Sequence, residues 1–210
     1  NIRGYKPNTS VHIGQLKRAI KMLGRAKKPL FLAGGGVIIS RANEVFTKLV
    51  EKTNIPVVTT VMGRGAIPTN HPLYIGNLGM HGAYACNMAV SDCDLLFSIG
   101  TRFNDRITGK LHSFAPNAQI VHIDIDTEYV EPNETSKWLE QIESWKEEHP
   151  LKMKEKPIMT PQDIIETINR MFDEAIIVTD VGQHQMFTAQ FAEITQKKRL
   201  LMSGGLGTMG

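Results

Sequence analysis

Pro29-Leu30-Phe31-Leu32-Ala33-Gly34-Gly35-Gly36 is the stretch that decides the fold: an unbroken apolar run that stops on three glycines. Five consecutive apolar residues leave no polar face, so the run predicts a strand buried on both sides, as strands of parallel sheets are. Outward from it the same rhythm repeats. Toward the N-terminus, Val11, Ile13, Leu16, Ala19, Ile20 and Leu23 recur at helical spacing, with Thr9 or Ser10 to cap and Gly24 to weaken the end. Toward the C-terminus, a helix is predicted over 40–53, with Val45, Phe46, Leu49 and Val50 on its inner face. A strand is predicted over 55–60, running into Met62-Gly63-Arg64-Gly65; residues 68–78 read as turns and 82–91 as a helix. Further strands fall at 94–99, closed by Gly100-Thr101-Arg102, and at 119–125, ending on Asp124 and Asp126. Alternating strands and helices predict an α/β fold: a parallel sheet with helices on both faces, each crossover returning through a helix.

The composition shifts after this unit. Residues 131–156 are charged and carry Trp138 and Trp145 seven positions apart, which predicts a surface helix and linker with the tryptophans as packing anchors. Thr160-Pro161-Gln162-Asp163 starts a further helix, with proline at its first position and Ile164, Ile165, Ile168 and Met171 as its apolar face. A strand over 175–179 then runs into Asp180-Val181-Gly182, and the chain stops within Gly204-Gly205-Leu206-Gly207-Thr208-Met209-Gly210. Two units are expected, 1–156 and the opening part of a second, 157–210. The start, Asn1-Ile2-Arg3-Gly4, has neither an initiator methionine nor a signal-peptide core and reads as a linker inside a longer protein.

Composition excludes several classes. The net charge is +3 and the basic residues are scattered without interleaved aromatics, so nucleic acid is not an expected partner. No apolar run approaches the roughly 20 residues that cross a bilayer. Cys86 and Cys93 match neither zinc nor CxxC spacing, and two thiols suit a reducing compartment such as the cytoplasm.

In an open parallel sheet, ligands sit beyond the carboxyl ends of the strands. Gly34-Gly35-Gly36 would bring bare amides there, suited to phosphate, or would only make a tight turn. The spacing is not GxGxxG and no acid closes the second strand, which disfavours a standard NAD site. Asp124 and Asp126 could meet a ribose or adenine, or cap the next helix. Arg102 and Arg106 with Asp105 could grip a pyrophosphate, or form a surface pair contributing under about 1 kcal/mol. His81, among glycines, is more often structural than catalytic. The residues thus point to a nucleotide-binding α/β unit of unorthodox fingerprint.

Longer blocks then carry a resemblance. Residues 29–37, 56–68, 76–82 (Gly-Asn-Leu-Gly-Met-His-Gly), 100–109 (Gly-Thr-Arg-Phe-Asn-Asp-Arg-Ile-Thr-Gly), 121–126, 178–186 and 203–210 resemble, in order, the large catalytic subunits of acetolactate synthases. The resemblance implies an FAD-binding central domain, with a flavin that undergoes no net redox change, followed by a thiamine-diphosphate domain. FAD would be met by Gly34, Gly35, Gly36, Thr60, Val61, Met62, Leu78, Gly79, Met80, His81, Gly100, Arg102, Asp105, Arg106, Ile107, Asp124 and Ile125. Thiamine diphosphate would be met by Val181, Gly182, Gln183 and His184 at its phosphates and by Gly207 and Met209 beneath its ring.

The implied reaction removes CO2 from one 2-oxo acid and joins the remaining two-carbon unit to a second. The implied partners are 2-oxo acids, Mg2+, further copies of the subunit in a homodimer or homotetramer, and a regulatory small subunit. Three family features are not in this sequence: the first domain with its activating glutamate, the magnesium-binding GDG…N segment, and a strand and helix between Val130 and Glu131. The 210 residues alone are therefore expected to be inactive. The alternatives are a flavin-free thiamine-diphosphate decarboxylase or carboligase, against which the arginine block argues, and a non-catalytic nucleotide-binding module.

Overall fold

A computed structural model describes residues 12–101, 103, 105–109, 113–122, 135–154, 158–172, 175–195 and 200–203. Five parallel strands form one sheet: β1 (Pro29–Ala33), β2 (Val57–Thr59), β3 (Tyr74–Asn77), β4 (Leu95–Ile99) and β5 (Gln119–His122), in the order β3-β2-β1-β4-β5. The α/β class and the parallel sheet are as the sequence predicts. β1 and β4 are buried along their whole length because helices cover both faces.

On one face, α1 (Ile13–Leu23) and α3 (Asn43–Thr53) cover Phe31, Val57, Leu95, Phe97 and Val121 with Leu23, Phe46, Leu49 and Val50. Phe31 meets Phe46 and Phe97 edge-on, at centroid separations of 5.8 and 5.7 Å, a favoured aromatic geometry. On the other face, α4 (Tyr84–Asp92) and α6 (Ser136–Glu148) bring Cys86, Ala89, Val90, Trp138 and Ile142 against Leu30, Leu32, Val58 and Leu96.

Several elements differ from the sequence expectation. α6 is a layer helix rather than a surface one: Trp138 is buried and its indole N–H donates to Pro29 O at 3.1 Å. Trp138 and Trp145 do pack together, edge-on at 5.9 Å. The turn-rich stretch contains the edge strand β3, which is short and interrupted by Gly76 at φ +146°. The helix expected over 40–53 starts at Asn43, after α2 (Gly35–Ile39) and Arg41 in the left-handed region at φ +59°. The β2–β3 crossover uses no α-helix, only a 3-10 turn (Val61–Gly63) and a loop that Asn43 holds by donating from Nδ2 to Gly65 O at 2.7 Å. His12 caps α1 by accepting from Gln15 N; Thr9 and Ser10 lie outside the described residues, as do residues 123–126 of the expected fourth strand.

The later residues form a second, two-stranded parallel sheet, β6 (Ile177–Thr179) beside β7 (Leu200–Met202), with α7 (Pro161–Met171) and α8 (Gln183–Phe191). α7 opens with the capping box the sequence announces: Asp163 N donates to Thr160 Oγ1 while Thr160 N donates to Asp163 Oδ2 at 2.8 Å. Among the described residues no helix is long and apolar enough to cross a membrane.

Candidate functional site

The strand order reverses between β1 and β4: the chain leaves β1 toward β2 and β3, then returns to lay β4 and β5 on the other side. The carboxyl ends of these two strands are the place where open α/β sheets take ligands. Here that place is built of glycine. Gly34 N–H donates to Ile99 O and Gly36 N–H to Gly100 O, each at 2.9 Å. A Cβ on Gly34 would lie 2.2 Å from Gly100 O, and one on Gly36 would lie 2.6 Å from Gly100 Cα. Gly100 itself sits at φ +59°, and its own Cβ would meet Gly36 Cα at 2.7 Å. Backbone therefore lies against backbone with no room for any side chain.

This corrects one expectation. Two of the three amides are not bare, because the β4 loop accepts their hydrogens. Gly35 turns the other way, toward the 3-10 turn, where its Cβ would touch Met62 Cβ and O at 3.2 Å. The glycine triplet first serves close approach of three loops.

Around this clasp the structure gathers most of the described residues singled out in the sequence. Thr60 N–H donates to Ala33 O at 3.0 Å, and Thr60 Oγ1 caps the 3-10 turn by accepting from Gly63 N. That fixes Thr60, Val61 and Met62 beside the end of β1. Leu78 N–H donates to Thr59 O at 2.9 Å, bringing in the segment Leu78–His81. Asn87 on α4 holds Gly79 from both sides, accepting its N–H at 3.1 Å and donating to its carbonyl at 3.2 Å. Two methionines near this edge reach solvent, Met62 at 46% and Met80 at 73% exposed. Thr101 Oγ1 donates to Leu32 O and Ile99 O, closing the β4 side.

Beyond Gly100, Asp105, Arg106 and Ile107 belong to α5 (Asp105–Thr108), with Ile107 packed on the α4–α6 face. Arg102, Asp124, Ile125, Gly207 and Met209 lie outside the described residues. Val181, Gly182, Gln183 and His184 stand apart from this edge, in the turn between β6 and α8 with Gly182 as the N-cap.

Among the described residues four buried polar atoms lack a hydrogen-bond partner; Asn43 Oδ1 and Arg64 Nε lie elsewhere, and two fall near these places. Ser98 Oγ, near the end of β4, and Thr179 Oγ1, last in β6, are buried with no hydrogen-bond partner among the described residues. A buried unsatisfied hydroxyl is destabilising by about 1–3 kcal/mol, so each is a candidate to meet a group from outside the chain. The sequence reading passed over Ser98, although a lone serine inside Leu95-Leu96-Phe97-Ser98-Ile99 is a legible polar interruption. It also passed over Arg64, Tyr74 and Asn77, which form a buried polar network beside the edge.

Comparison with known proteins gives the family of this chain. The chain belongs to the thiamine pyrophosphate enzymes, whose central domain matches residues 16–139. Over its whole length it is similar to acetolactate synthase large subunits: that of Cyanidium caldarium is 40% identical across 100% of the chain and 41% of the relative. The probable large subunits of Methanococcus aeolicus and Methanocaldococcus jannaschii are 42% and 40% identical, across 99% and 100% of the chain and 42% of each relative. The chain thus spans about two fifths of the length of these relatives. The Cyanidium alignment runs over 242 positions against 210 residues here, so the relative carries residues with no counterpart in this chain.

Proposed function

We propose that this chain is part of an acetolactate synthase large subunit, in which residues 1–156 hold FAD and residues 157–210 open the thiamine-diphosphate domain. The observation that carries the reading is the 38–42% identity to such subunits along the full chain. The switch point supports it physically, since open α/β sheets take ligands at the carboxyl edge where the strand order reverses. FAD would lie across the carboxyl edge, its flavin against Met62 and Met80 and its phosphates along the Gly34–Gly36 and Gly100 loops. Arg102 and Arg106 would supply the charge that the engaged Gly34 and Gly36 amides cannot. Gln183 and His184 would donate to the diphosphate of thiamine diphosphate, with Gly182 allowing its close approach and Mg2+ completing the charge balance. Thiamine diphosphate, when bound, supplies the electron sink for decarboxylation of a 2-oxo acid. The chain's own contribution is to bind, orient and dry the site.

The substrates proposed are pyruvate and a second 2-oxo acid, in a cytoplasmic homodimer or homotetramer with a regulatory small subunit. The test uses the full-length protein, purified and supplied with pyruvate, thiamine diphosphate and Mg2+. Acetolactate formation by a protein showing flavin absorbance is the expected result. An active but colourless, flavin-free enzyme would remove FAD from the assignment, and no acetolactate at all would overturn the function.

A further inference from the structure

We propose that Arg64, Tyr74 and Asn77 form a clamp on the carboxyl end of α8 that positions the Val181–His184 turn at its other end. The inference rests on the reading of that turn as the thiamine diphosphate site.

Arg64 is 7% exposed, yet no carboxylate among the described residues pairs with it. One terminal nitrogen, Nη1, donates to Tyr74 Oη at 3.4 Å, and the other, Nη2, donates to Ala192 O. Ala192 is the C-cap of α8. The last carbonyls of a helix have no partner within it and carry the negative end of its dipole, so a buried guanidinium there finds the partial charge it lacks elsewhere. An apolar side chain could fill the same space with less desolvation, but it could not address that carbonyl.

Asn77 works beside it. Its Oδ1 accepts from Thr59 Oγ1 at 3.0 Å and from Tyr74 Oη at 3.3 Å, which turns Nδ2 toward Ala189 O. Burial pushes the Tyr74 phenol above its ordinary pKa, so the hydroxyl stays protonated and keeps that donation. Asn169 completes the end from α7, donating from Nδ2 to Phe191 O at 2.9 Å. Two further links join the same region to the first sheet: Thr69 and Ile194 bond reciprocally at 3.0 and 2.8 Å, and Gln190 Nε2 donates to His81 O at 3.0 Å.

The mechanical consequence follows from helix geometry. α8 has nine residues and is about 13 Å long, short enough to move as a rod. Its N-cap is a glycine with no side-chain cap bond. A rod held at Ala189–Ala192 fixes where Gly182, Gln183 and His184 stand. Arg64, Tyr74 and Asn77 are therefore positioning residues, not catalytic ones.

The test uses the full-length protein, with thiamine diphosphate binding followed by protein fluorescence rather than by turnover. Arg64→Met should raise the half-saturating thiamine diphosphate concentration by about tenfold, a scale set by sub-ångström misplacement of binding groups. Flavin content per subunit should be unchanged, and Arg64→Lys should recover most of the loss. Leu49→Ala, a cavity beneath α3, serves as the stability control: it should lower the melting temperature and leave binding unchanged. If Arg64→Met does not fold, Asn77→Ala provides the same reading with a smaller shift expected. Wild-type affinity in Arg64→Met, or an equal loss in Leu49→Ala, overturns the clamp. A wild-type protein that takes up no thiamine diphosphate overturns the proposed function instead, and is recognised before any variant is made.

Discussion

Gly100 concentrates the constraints of the switch point in one residue. Its φ of +59° already disfavours any side chain, and the space a Cβ needs is occupied by Gly36 Cα at 2.7 Å. Gly100→Ala should therefore cost at least the ~1–3 kcal/mol of a strained left-handed residue, because the loops must also separate. Urea denaturation would measure it, and a loss under about 0.5 kcal/mol would mean the clasp is looser than its geometry. Cys86 and Cys93 are a contrasting case, two free thiols buried in the core. Burial pushes both thiols up to about 12 from an ordinary 9.0. Neither should react with a thiol-specific reagent at pH 8 in the folded protein, and both should react once it is denatured. Because their folded pKa values are raised, their contribution to stability is intact below about pH 9 and falls as pH climbs toward 12. A denaturation midpoint that stays flat across that window would contradict the burial.

At the scale of elements, signals held within a few residues were legible and long-range ones were not. Thr160 and Asp163 announce the start of α7 locally, and the structure shows both bonds of the capping box. Thr160→Ala should destabilise the protein by about 1 kcal/mol, seen as a lowered denaturation midpoint. The Thr160 hydroxyl and N–H hold the Asp163 carboxylate below its ordinary pKa of 3.8, so the box is intact above that pH and fails as pH falls through the lowered value. In Asp163→Asn the acid-induced loss should be smaller. β1 and β4 were legible for a similar reason: buried on both faces, they are continuous apolar runs. β3 was not, because Tyr74-Ile75-Gly76-Asn77 is short, mixed and broken by glycine, and its identity as a strand comes from pairing with β2. The depth of α6 was hidden as well. Its burial depends on Trp138 reaching Pro29 O and on Thr135 Oγ1 donating to Asn54 O at 2.7 Å, partners no local pattern can reveal. The candidate site divides the same way: glycines at strand ends were visible, while the engagement of their amides and the network of Arg64, Tyr74 and Asn77 required the fold.

At the scale of the whole molecule, the two sheets are joined through residues that adjoin the proposed FAD edge. Thr59, which donates to Asn77, immediately precedes Thr60 of the 3-10 turn, and Arg64 follows Met62 by two positions. His81, whose carbonyl accepts from Gln190 of α8, belongs to the Leu78–His81 segment on the same edge. If FAD orders Thr60–Met62 and Leu78–His81, it also orders the groups that hold α8, and with them the turn proposed for thiamine diphosphate. Linkage then makes the effect reciprocal: whatever factor FAD adds to thiamine diphosphate affinity, thiamine diphosphate adds to FAD affinity. Couplings of this kind typically amount to about 1–3 kcal/mol, or about 5- to 150-fold. In the full-length protein, thiamine diphosphate should bind more tightly to the FAD-loaded form than to the stripped form, and FAD release should slow when thiamine diphosphate is present. Arg64→Met should shrink both effects together, since it cuts the connection and leaves each pocket's own residues in place. Equal thiamine diphosphate affinities in the loaded and stripped wild-type protein would show that the two sheets share a boundary but no energy.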